Sequence, residues 1–159
     1  MKIKALLVIF ALSSGLQHAV VAQELSPNAP KDQPAGYTTH EQVTAMDRAI
    51  APYVAKARAT YPDAKKRYLA GLPPGNIFFV TVRLHDKNGV FEQVFIAVRS
   101  IKADLITGTI ASDLEAVKEF KKGQEYSCKE ADILDWLISK PDGSEEGNYV
   151  GKFLDTYHP

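Results

Sequence analysis

The chain is poor in the side chains that carry most protein chemistry. One cysteine in 159 residues excludes an intrachain disulfide framework and any cysteine-based zinc site of the usual kind. One tryptophan leaves a single indole, which more often anchors a core than meets a partner. Neither charge sign is in excess. With 19 Lys and Arg against 19 Asp and Glu, the chain lacks the clustered cations by which nucleic-acid binders displace counterions from phosphates. G-x-S-x-G, a Walker loop, S-x-x-K and C-x-x-C are all missing. His40-Glu41 begins like a zincin helix, but Thr44 stands where the second His would be needed. Gly71 to Gly75 lacks the Lys and the following helix of a phosphate loop. Asp86-Lys87-Asn88-Gly89 lacks the later acidic residues of a calcium loop and reads as a hairpin turn. No metal site and no cofactor is expected.

What is present first is an address. Lys2 and Lys4 precede an apolar run from Ala5 to Leu16, and Val20-Val21-Ala22 supplies small residues for cleavage before Gln23. Residues 1–22 therefore read as a signal peptide, cleaved after Ala22, that delivers the protein to the periplasm. The run falls short of the roughly 20 apolar residues that span a bilayer, so no stable membrane anchor is expected after cleavage. No cysteine follows to take a lipid. Residues 23–36, with Pro27, Pro30, Pro34 and Gly36, read as a flexible lead-in. Residues 37–159 form one domain.

Within that domain, Thr38 and Glu41 have the spacing of a capping box. Val43, Met46, Ile50, Ala57 and Tyr61 then recur at helical intervals. Pro52 predicts a kink or break near Ala51, and Pro62-Asp63 starts a second short helix with Tyr68 and Leu69 inward. After Asn76 the period changes. Ile77 to Leu84 and Val90 to Ile101 are rich in Val, Ile and Phe around Asn88-Gly89, a preferred two-residue hairpin turn. That turn sets Lys87 opposite Val90, Val80 opposite Ala97, Val82 opposite Phe95 and His85 opposite Glu92. Further strands are expected at Leu105–Ala111 and Gln124–Cys128. A short helix is expected over Ser112–Lys122 from the capping-box spacing of Ser112 and Glu115. Ala131 to Ser139 is helix or strand, and Tyr149 to Tyr157 is a final strand or helix. The plan is α+β: an N-terminal helix, or kinked helix pair, on a strongly bent antiparallel sheet or small partly open barrel of about five strands.

These residues carry a resemblance. Val90 to Ile96 (V-F-E-Q-V-F-I), Gly108 in the third strand, Lys122-Gly123-Gln124, Asp132-Ile133 with Asp135-Trp136, and Gly147-Asn148-Tyr149 follow one family's order. The stretch resembles the bacterial domain of unknown function 2314, the YegJ-like family, over most of residues 45–157. The resemblance implies a small α+β domain, often secreted in Gram-negative bacteria, and no known activity. Gln93 and Phe95 stand where that family often has His and then Trp in its second strand. No chemistry of that histidine carries over to this chain.

Two functional readings follow. The first is a non-catalytic secreted or periplasmic binding module for an envelope protein or peptide, such as an enzyme it inhibits or a toxin it neutralises. Its candidate contact residues are Trp136, Asp135, Asp132, Tyr149 and Phe153, with Tyr157 beside them. A peptide strand added to a sheet edge is a further form of it. The second reading is a small hydrolase or isomerase using Asp132 and Asp135, three apart and on one face if their segment is helical. His85 and Glu92 form its second candidate pair. Against it, Asp132 can cap a turn and Asp135 can accept main-chain N–H groups beside Trp136. Cys128 reads as a buried small apolar residue, with an intermolecular disulfide or a reactive thiol beside Lys129 as the alternatives.

Overall fold

The computed structural model describes residues 40–157. The proposed signal peptide, the lead-in, Thr38 of the expected capping box and His158 lie outside the described residues. Helix α1 (His40–Ala70) is followed by strands β1 (Ile77–His85), β2 (Phe91–Lys102), β3 (Leu105–Ile110) and β4 (Glu125–Lys129). A 3-10 turn (Glu130–Asp132) leads to β5 (Asp135–Ser139), β6 (Glu145–Gly147) and a short helix α2 (Tyr149–Leu154). The strands form one antiparallel sheet in the order β4-β3-β2-β1-β5-β6, curled around α1 and not closed into a barrel. The α+β expectation holds, with six strands rather than about five.

Helix α1 runs unbroken through Pro52 and Pro62, so the break near Ala51 and the separate second helix do not occur. Each proline removes one N–H from the ladder and strands the carbonyl four residues back. Here Arg48, Pro52, Arg58 and Pro62 are all exposed, so water can satisfy what the prolines leave open. Tertiary packing holds both halves. Ala57, Tyr61 and Ala64 press on the sheet, while Met46 and Ile50 pack against Val150 of α2. Tyr68 turns inward as expected, but Leu69 does not: it is 59% exposed.

The β1–β2 hairpin is offset by one residue from its expected register. Val80 pairs with Ile96, Val82 with Val94 and His85 with Phe91. The cause is local. Asp86 closes a three-residue loop, its Oδ1 accepting the N–H groups of Asn88 and Val90, both at 2.8 Å. Gly89 takes the positive φ of 81° that this three-residue return needs. The slip puts Val80, Val82, Val94 and Ile96 together against α1, and Phe79, Phe95, Ala97 and Leu137 in a second cluster on the opposite face.

The expected helix over Ser112–Lys122 is absent. That segment is a loop whose amides are taken by a distant carboxylate. Glu92, buried on β2, accepts the N–H groups of Glu115 (2.9 Å), Ala116 (2.9 Å) and Val117 (3.1 Å). Ser112, the expected cap, instead accepts Phe95 N–H through Oγ at 2.8 Å. The ambiguous stretch before Ser139 resolves as β5, and the C-terminal one as α2.

Candidate functional site

Strand β5 and helix α2 bring several of the expected residues to one corner. Asp135 is 1% exposed. Its Oδ1 accepts Trp136 N–H at 2.8 Å and its Oδ2 accepts Val150 N–H at 2.6 Å. It thereby caps the first turn of α2, where Asn148 sits in a left-handed conformation and offers no side-chain cap. Burial raises its carboxyl from 3.8 to about 6 against the pull of those main-chain hydrogen bonds and of Lys152.

Trp136 is 4% exposed, with its ring in the main core. Its Nε1 donates to Ala57 O at 3.1 Å and Thr60 Oγ1 at 3.0 Å, fastening β5 to α1. Gly147 passes so near that a Cβ there would meet Trp136 O at 2.2 Å. Tyr149 stands edge-on to the indole at 6.0 Å with Lys56 Nζ 4.5 Å from its own ring centre. Phe153 stacks on Tyr53 at 4.4 Å, with Tyr157 packed on it at 5.0 Å. As contact residues, then, Asp135 and Trp136 point into the interior, while Tyr149 and Phe153 are half-buried at its margin.

Asp132 is separate. It is exposed on the 3-10 turn, where Oδ2 accepts Lys129 N–H at 3.1 Å. One aspartate caps a turn and the other caps a helix. The second carboxylate pair also comes apart, because the register slip leaves exposed His85 beside Phe91 and sends Glu92 into the core. Cys128 is buried, and burial together with the nearby Asp132 carboxylate pushes its thiol up to about 11. Among the described residues, no three His, Cys, Asp or Glu side chains are placed to hold a metal ion.

A different region offers open space. At the C-terminal end of α1, two grooves of about 470 Å³ and 560 Å³ adjoin, sharing Gly71, Leu72 and Asn76. The first runs from Leu69 and Leu72 over Ile77 to the end of β2, where a bulge between Val98 and Ser100 interrupts the pairing with β3. Asn76, Arg99, Ser100 and Lys102 line this groove, and their side chains have no protein partner among the described residues. The second holds the linked ions Arg67, Glu146 and Lys140, with contacts of 2.6 Å and 3.0 Å. Neither groove includes Asp132 or Asp135. Sequence reasoning missed this region. The one available signal was Leu69, which falls outside the 57, 61, 64, 68 stripe that α1 buries.

Fold and site together define a class: a small α+β domain with an open antiparallel sheet, an interior whose carboxylates serve the backbone, and grooves without a nucleophile–base pair. The chain belongs to domain of unknown function 2314, a family described as an uncharacterized protein conserved in bacteria, whose profile matches residues 43–156. No curated protein and no solved structure matches the chain.

Proposed function

We propose that this protein is a non-catalytic interaction module of the bacterial cell envelope, and that it receives a protein segment in the grooves at the C-terminal end of α1. One observation carries the reading. The first groove joins an exposed Leu69 and apolar walls to four polar side chains with unused hydrogen-bonding capacity. Apolar walls with a few convergent polar groups are the usual makeup of a binding site. The hydrolase or isomerase alternative lacks comparable support, since Asp132 and Asp135 are each spent on capping and neither lines a groove.

The location belongs to the same proposal and rests on the sequence of residues 1–22. Among the described residues no helix is long and apolar enough to cross a membrane. Expression of the full-length chain in a Gram-negative host gives the first test: N-terminal sequencing of the periplasmic product should begin at Gln23.

The processed protein is then immobilised against an envelope extract of its source. One stoichiometric protein partner should be retained by the wild type and by Asp155→Ala, and lost with Leu69→Asp. Leu69 is exposed, so its replacement leaves the core untouched. A partner held equally by Leu69→Asp, or no partner at all, would defeat the groove as the interaction surface.

A further inference from the structure

We infer that the first groove recognises the free C-terminal end of an extended apolar peptide, with Arg99 and Lys102 receiving its terminal carboxylate. The inference rests on the interaction reading above and specifies its ligand. The groove's lining includes two cations and no carboxylate, in a chain whose formal charge is zero. Three other cations, on α1 and just after β5, are already committed: Lys65 to Glu130 and to Ala103 O, Arg67 to Glu146, and Lys140 to Glu146. Arg99 and Lys102 are exposed and have no partner among the described residues.

The β-bulge between Val98 and Ser100 takes Arg99 out of the ladder, and bulges commonly re-aim a side chain in this way. The hairpin that follows is braced from α1, because Lys65 Nζ donates to Ala103 O at 3.2 Å. The two cations therefore flank the groove on a held segment rather than a loose loop. Arg and Lys bind a carboxylate through charge-assisted hydrogen bonds.

The polar groups along the wall favour a peptide over other carboxylates. Asn76, where the two grooves meet, offers both an N–H donor and a carbonyl acceptor, the complement of a backbone amide. The Ser100 hydroxyl adds a further donor or acceptor along the same wall. An acyl chain would leave both unanswered. Leu69, Leu72 and Ile77 suit an apolar side chain at or near the peptide's last residue.

The processed protein is mixed with two pools of N-acetylated hexapeptides ending in Leu, Val, Ile or Phe. One pool carries free carboxylates and the other C-terminal amides, and bound peptides are counted by mass spectrometry. Free acids should be retained about tenfold over amides, as a charge-assisted contact requires, and the preference should shrink with added salt. Arg99→Gln/Lys102→Gln should abolish it while leaving the thermal midpoint unchanged, both side chains being exposed. Equal retention of the pools, retention of neither, or a preference that survives in the double variant would each overturn the inference. Laurate binding without peptide binding would overturn it by giving the groove to acyl chains. An envelope partner lost with Leu69→Asp but indifferent to Arg99 and Lys102 would sink the carboxylate alone and leave the interaction module standing.

Discussion

Asp135→Asn separates the charge of a buried carboxylate from its shape. In the folded protein burial holds the carboxyl at about 6, against 3.8 for the exposed group. At about 1.4 kcal/mol per unit, that rise is worth roughly 3 kcal/mol between the two protonation states. The sign follows from proton counting. Between these two values the folded state keeps a proton that the unfolded chain has released, so stability falls as pH rises through the window. The wild type should therefore lose roughly 3 kcal/mol from this group between about pH 4 and pH 7. In Asp135→Asn the term vanishes. The amide oxygen can still accept from Trp136 or Val150, but the other N–H is orphaned at a cost of about 1–3 kcal/mol, the same at every pH. Urea unfolding from pH 4 to 7 on both proteins isolates the effect, because every other titrating group cancels in the difference. The wild-type midpoint should fall relative to the variant's by about 1–3 M across the range. Parallel curves would refute the reasoning, and would mean that the main-chain N–H groups hold the carboxylate ionised throughout.

Glu92→Ala removes the common acceptor of three amides and should cost about 2–4 kcal/mol in urea unfolding, with loss of hydrogen-exchange protection at Glu115, Ala116 and Val117. Protected amides in the variant would show that the loop is held by its apolar contacts instead. Cys128 should react with Ellman's reagent at least about 100-fold more slowly in the folded than in the unfolded protein at pH 8, from thiolate fraction alone. Comparable rates would mean that β4 opens readily at the sheet edge.

What could be read from the sequence was whatever depends on neighbours along the chain. Alternating Val, Ile and Phe place β1 and β2, Gly and Pro clusters place their ends, and the α1 stripe marks the buried face. Errors arose where a partner far along the chain decided the outcome. Ser112 and Glu115 have helical capping spacing, but Glu92, more than twenty residues earlier, takes the amides that a helix would have used. Pro52 and Pro62 argue for a break, yet α2 and the sheet hold the two halves of α1 in one helix. The hairpin slip came from one side chain, since Asp86 Oδ1 turns a two-residue return into a three-residue one. For the site, the aspartates and Trp136 stood out because of their chemistry, and that chemistry is spent inside the fold. Asn76, Arg99, Ser100 and Lys102 are unremarkable along the chain and meet only because β1 begins where β2 ends.

Buried polar groups are costly unless paired, so their partners in this interior say mainly how the chain holds itself together. Arg83 Nε is the one buried polar side-chain atom among the described residues without a hydrogen bond, and even that guanidinium pairs with Asp47 and lies 4.5 Å from the Phe91 ring centre. Exposed polar groups cost nothing unpaired, and a lone surface cation says little. Two of them beside an amide and a hydroxyl that have no partner among the described residues, on apolar walls and without a carboxylate in the lining, are a different matter. The chain as a whole is neutral, and salt screens exposed charges beyond about 8 Å at physiological strength. Arg99 and Lys102 therefore act on what enters the groove rather than on what diffuses past it. A partner must bring its negative charge into contact, and the apolar walls decide what that charge is attached to.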